Sequence, residues 1–170
     1  GCNTSLLRLS THTGTHCDAP WHFEEDGPRL HEVNPDIFFG EALLIDLPHV
    51  DVIGAADLPA KPLPARVLFK TRNSDHAADA PFRKDYVALA ADAAARLTDD
   101  GVRLVGIDGP SIAPYKQPGQ DTHHMLLRRG VFVVEGLRLA GFKGGVYGFV
   151  VLPLPLLHAD GAPCRAFLGR

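Results

Sequence analysis

Apolar residues in this chain fall into short runs separated by proline, glycine and charge, and a single stretch shows helical spacing. The runs EALLIDL at 41–47, RVLFKT at 66–71 and VRLVGI at 102–107 are too short for helices and end at loop-forming residues, so they predict strands. Between the second and third, Tyr86, Leu89, Ala90, Ala93 and Leu97 recur three and four apart, with Gly101 as a stop, which predicts a helix. Strand, helix and strand in that order imply a crossover unit and a partly parallel sheet, an α/β fold. Further on, Asp121 is placed to cap a short helix at 122–129, stopped by Gly130, and a strand at 131–134 ends in Glu135-Gly136. Apolar segments at 145–154 and 165–168 complete the sheet, and 5–9 is strand-like. The stretches 24–36, 49–64 and 72–81 read as loops.

Length and composition narrow the class. A chain of 170 residues is read as one domain with a substantial core, and 45% apolar with 22% charged residues is ordinary globular composition. A net charge of -3 gives no footprint for nucleic acid or an anionic membrane, so neither is expected as a partner. No apolar run reaches the roughly 20 residues that span a bilayer; the most apolar stretch, 149–157, is cut by Pro153 and Pro155. Three cysteines without paired spacing, and no signal peptide, imply a reducing compartment, read as the cytoplasm. The sequence enters a strand-like segment almost at once, so an N-terminal segment is expected to be missing.

The densest chemistry lies at 11–23, THTGTHCDAPWHF, with His12, His16, Asp18 and His22 close together. Gly14, two β-branched threonines and Pro20 disfavour a helix. In an extended segment the side-chain period of two puts His12, His16 and Asp18 on one face and Cys17 on the other. Two imidazoles four residues apart reach one ion only if the chain bends, which Gly14 permits. These three are therefore metal-ligand candidates, and His22, beyond Pro20, stands beside them as a supporting or catalytic group. The alternatives are surface or core histidines, a closed structural zinc site, which favours paired cysteines that are absent here, and a Cys17 nucleophile served by His22. His31, His49, His76 and His158 are read as surface or satisfied core residues.

Two more groups stand out. His123 shares a helical face with Leu126 and Leu127, whereas His124 is turned away. Glu135 ends a buried apolar strand, where a carboxylate needs a partner or a cation. Residues 106–112 read as a strand-to-loop turn.

The segment HTGTHCDAPWHF resembles the HxGTHxDxPxH motif of the cyclase family of metal-dependent hydrolases. FKTRN at 69–73, GIDGPSI at 106–112, HHMLLRRGVFVVEGL at 123–137 and the closing LPLPLLHADGAPCRA extend the likeness in the same order. The resemblance implies a swivelling β/β/α-type α/β domain with a mixed sheet, assembled as a homodimer or higher homo-oligomer. It implies one metal held by His12, His16 and Asp18, a second bridged by Asp18 to His123 and Glu135, and His22 as the catalytic histidine. A donor set of His and carboxylate suits Zn²⁺ or Mn²⁺, two per chain. The activity implied is amide hydrolysis by metal-activated water, with His22 as general acid and base. The favoured substrate is an N-formyl aryl amide such as N-formylkynurenine; an isatin-type cyclic amide or a lactone is the alternative, and a non-catalytic metal-stabilised binding protein is the non-enzyme one. Trp21 and Phe23 flank His22 and serve either as a stacking surface for an aromatic substrate or as plain core.

Overall fold

The computed structural model describes residues 1–77, 80–116 and 121–169. Seven strands are found among these residues: β1 (His16–Asp18), β2 (Phe39–Leu47), β3 (Arg66–Thr71), β4 (Leu104–Ile107), β5 (Phe132–Glu135), β6 (Gly145–Pro153) and β7 (Gly161–Gly169). They form one mixed sheet in the order β1-β5-β4-β3-β2-β6-β7, and β7 pairs back onto β1 to close a barrel. The pairs β2/β3, β3/β4 and β4/β5 are parallel and the others antiparallel. Two α-helices are found among the described residues, α1 (Ala91–Asp99) and α2 (Thr122–Leu127).

The strands carry apolar residues on both faces because each face covers a different core. In β3, β4 and β5, residues Leu68, Leu104, Phe132 and Val134 join Cys17, Leu44, Phe149, Val151 and Ala162 in a cluster fed by every strand, which fills the barrel interior. The alternate residues Val67, Phe69, Val105, Ile107 and Val133 point outward and are covered by Ala93, Ala94 and Leu97 of α1 and Leu126 and Leu127 of α2. A parallel segment sealed on both faces reads as a continuous apolar run, which is why β3 and β4 are legible in the sequence.

Several expectations need correction. The helix expected from Tyr86 begins only at Ala91. Residues 86–90 are extended: Ile53 bridges Leu89, and the Leu89 N–H donates to the Ile112 carbonyl at 2.8 Å. Val87, Ala88 and Leu89 are all buried, so an apolar run sealed on every side has mimicked helical spacing. The strand-like 5–9 is exposed coil, with Leu6 and Leu7 open to solvent, since no neighbouring strand offers it a ladder. Asp121 makes no side-chain capping bond to α2. The strand expected at 131–134 is β5, one residue later, so Glu135 is itself a ladder residue. The loop expected at 72–81 starts with a helical turn, Arg72–Asp75, and its residues 78–79 lie outside the described residues.

Candidate metal centre

The barrel register assembles the site. β1 lies between β5 and β7, with His16 opposite Glu135, Cys17 opposite Val134 and Asp18 opposite Val133. Cys17 and Val134 point into the barrel, so His16, Asp18 and Glu135 point out of it, toward the side that α2 covers. Gly14, at φ 66°, turns the chain just before β1 and brings His12 back over the strand. The bend is locked: Thr15 Oγ1 donates to the Gly136 carbonyl at 2.6 Å, and Gly136, itself at φ 66°, would place a Cβ 2.7 Å from the Gly14 carbonyl oxygen. A helical turn, Pro20–His22, then lifts His22 to the same side.

The six expected site residues converge. His16 Nε2 lies 3.4 Å from Asp18 Oδ1 and 3.4 Å from Glu135 Oε2. Two ligands at about 2.1 Å in tetrahedral geometry stand roughly 3.4 Å apart, so this spacing suits a shared ion. His123 Nε2 is 3.1 Å from Glu135 Oε1 and 3.7 Å from Asp18 Oδ2, and His12 Nδ1 is 2.9 Å from Asp18 Oδ1. His16, Asp18 and Glu135 form one compact donor group, and His12, Asp18 and His22 form another. Asp18 is common to both. The grouping differs from the expected one in placing His16 with Glu135 and His22 with His12.

The electrostatics are those of a site built for positive charge. Asp18 is 1% exposed, and its Oδ2 is sealed from solvent without a hydrogen-bond donor. A buried carboxylate oxygen left unpaired costs about 1–3 kcal/mol or more, and a cation at this point would remove that cost. Burial pushes the Glu135 carboxyl upward, but the imidazoles of His123 and His16 outweigh it and hold the group below the usual carboxylate range. His12 is pushed up from 6.5 to about 9, chiefly by its bond to Asp18 against burial, with Asp160 adding to the rise. Burial pushes His22 below its ordinary value, which favours a neutral ring able to accept a proton.

A second layer of bonds aims these groups, and sequence reasoning missed most of it. His16 Nδ1 donates to the Gly14 carbonyl at 2.9 Å, leaving Nε2 for a ligand. The Ile112 N–H and Ser111 Oγ donate to Glu135 Oε1 at 2.7 and 3.3 Å, so residues 106–112 do more than turn the chain: they hold the Glu135 carboxylate. Asp160 Oδ2 accepts from His12 Nε2 at 2.8 Å and faces His22 Nδ1 at 3.1 Å. Asp160 sits in the closing LHADG segment, and the glycine after it was the available signal: a Cβ on Gly161 would lie 2.8 Å from the Cys17 carbonyl oxygen and 3.0 Å from His12.

The flanking aromatics differ in role. Phe23 stacks on His123 with centroids 4.5 Å apart and rings 9° from parallel, and meets His22 edge-on at 4.6 Å. Trp21 lies under the Arg29 guanidinium at 4.4 Å. Neither lines the adjoining cleft of about 450 Å³, whose walls include His12, His16, His76, Phe82, Tyr86 and Arg138. His124 bonds Glu24 at 2.8 Å, away from the cluster. His49 is exposed, and His31 and His158 pair edge-to-face at the surface.

Known proteins resemble this chain over nearly its whole length. Kynurenine formamidases from Bacillus cereus and Bacillus mycoides are 35% and 36% identical over 166 residues, 98% of this chain and 79% of theirs. A solved structure described as a potential metal-dependent hydrolase with cyclase activity superposes with a TM-score of 0.87 at 40% identity, covering 95% of this chain and 80% of that one. Isatin hydrolase A from Labrenzia aggregata shares the fold, with a TM-score of 0.80 at 21% identity over 94% of this chain and 73% of its own. The family model Cyclase, described as "Putative cyclase", matches residues 4–114, and with relatives matched over nearly the whole length the chain belongs to that family.

Proposed function

We propose that this chain is a metal-dependent amide hydrolase that cleaves the formyl group from an N-formyl aryl amine, N-formylkynurenine being the favoured substrate. The observation that carries the metal requirement is Asp18 Oδ2, buried and without a donor between two groups of His and carboxylate ligands. The 35% identity to kynurenine formamidases over nearly the whole chain supports the substrate.

His12, His16, Asp18, His123 and Glu135 would between them hold up to two ions, with Asp18 common to both; a set of imidazole and carboxylate suits Zn²⁺ or Mn²⁺. Bound there, a divalent ion supplies a Lewis acid for the carbonyl and lowers the pKa of water toward about 7. The remaining work falls to the chain. Asp160 faces Nδ1 of His22, so Nε2 is free to take a proton from the attacking water and return it to the departing aryl nitrogen. Ser111 and Ile112 hold Glu135 in its ligand orientation, and Phe23, stacked on His123, fixes that ring.

The same reading includes a homo-oligomer and a cytoplasmic location. An uncovered row across three strands, Phe39 opposite Val150 opposite Phe167, supports the first. The free thiols Cys2, Cys17 and Cys164 support the second.

Protein purified without chelator is expected to contain about one to two Zn or Mn per chain, to deformylate N-formylkynurenine, and to lose about 10²-fold or more in kcat as His22→Ala with its metal retained. Activity confined to isatin or simple lactones would sink the formamidase assignment. A metal-loaded protein inert on every amide would be a binding protein instead.

A further inference from the structure

The cleft of about 450 Å³ beside the donor cluster runs past His12 and His16 to a wall of different character, and its volume suits a ligand with one aromatic ring. Phe82 is 62% exposed, and its ring faces Tyr86 and Tyr115 at 6.1 and 5.7 Å, an aromatic surface left open to a flat ligand. The charged groups in the lining are unequal. Asp108 is buried and engaged by donors from Thr71, Asn73 and Ser74. Arg83 is clamped by both oxygens of Asp85, at 3.1 and 2.6 Å. Arg138 is exposed; among the described residues it donates only to the His76 carbonyl, at 3.3 Å, and no carboxylate pairs with it. Among the described residues the cleft therefore offers an aromatic wall and one guanidinium without a carboxylate partner.

We propose that Arg138 determines substrate choice by receiving a carboxylate carried on the far side of an aryl amide whose formyl group faces His12 and His16. This rests on the amide-hydrolase reading and adds what selects the substrate: an aryl amide that also carries a carboxylate. A guanidinium fork fits a carboxylate with two parallel N–H···O bonds. A neutral cyclic amide would leave it unused. Arg138 binds and does no chemistry, so its loss raises KM and spares kcat.

Metal-loaded wild type, R138Q and R138K are compared in two ways. By calorimetry, the wild type should bind kynurenine about tenfold or more tighter than kynuramine, which has the same ring and amine without the carboxylate, as expected for one charge-assisted pair. R138Q should bring the two affinities together, and R138K should restore part of the difference. In kinetics, R138Q should raise KM for N-formylkynurenine about tenfold, change kcat by less than about twofold, and leave the hydrolysis of neutral formanilide unmoved. An R138Q that weakens both ligands equally, or neither, would overturn the proposal. If the wild type hydrolyses neither formamide, the amide-hydrolase reading fails by itself, and the affinity ratio still decides the role of Arg138.

Discussion

His22 Nδ1 lies 3.1 Å from Asp160 Oδ2, and the same oxygen lies 2.8 Å from His12 Nε2, so one carboxylate holds two imidazoles whose centroids are 4.0 Å apart. Asp160 is itself fixed: Thr11 Oγ1 donates to its other oxygen at 3.0 Å, and its carbonyl accepts from the Ala19 N–H at 2.9 Å. It thereby fixes the orientation of both rings, and in the proposed function sets which nitrogen of His22 would meet substrate and which nitrogen of His12 would meet a metal.

Asp160→Asn tests this. A carboxamide keeps the shape but cannot accept from both rings through one oxygen with the same strength. Turnover is expected to fall about 10- to 100-fold, the usual range for partners that orient metal ligands. The circular dichroism spectrum should be unchanged, since the Asp160 side chain is one-third exposed. An unaltered kcat would remove Asp160 from the machinery.

Why Asp160 was not legible follows from topology. It is 138 residues from His22 and reaches it only because β7 pairs with β1 across the closure of the barrel. No local pattern encodes that pairing, whereas His12, His16, Asp18 and His22 sit in one short segment whose turn residues show the bend directly. His123 and Glu135 were visible as polar groups on apolar elements, but their convergence on Asp18 depends on the register of β5 against β1. The strands β2 and β3 were readable because short apolar runs ending at turns have few other solutions. Residues 86–90 were not, because burial on all sides satisfies a helical spacing and an extended one equally.

Metal should stabilise the fold as well as serve the reaction. Asp18 and Glu135 are 1% and 4% exposed, and Asp18 Oδ2 has no donor. Protein stripped by chelator is expected to melt below the metal-loaded form, and Zn²⁺ at about 100 times its Kd should restore about 2.7 kcal/mol. Asp18→Ala removes the carboxylate common to both donor groups, so its melting temperature should not respond to Zn²⁺. A normal response from that variant would show that the ion binds elsewhere.

Gly136→Ala probes the backbone that carries the site. The position has φ 66°, and a Cβ would meet the Gly14 carbonyl oxygen at 2.7 Å. The left-handed conformation alone costs about 1–3 kcal/mol for a residue with a side chain, and relief of the clash moves the turn that places His12. Denaturant unfolding should show at least that loss, and elemental analysis should show less metal per chain. Wild-type stability with full metal content would mean that the two loops separate freely.

The cysteines offer a separate check, because they rank the metal reading against a thiol nucleophile. Cys2 is exposed. Cys17 is fully buried in the barrel interior, where burial raises its thiol well above the ordinary value, and burial pushes Cys164 up to about 12. The thiolate is the reactive form, so at about pH 8 a disulfide reagent should titrate one thiol promptly in the folded protein and all three after denaturation. Cys17→Ser should keep its turnover, since the side chain points away from His16, Asp18 and His22. Prompt labelling of Cys17 with parallel loss of activity would transfer the chemistry from the metal centre to sulfur.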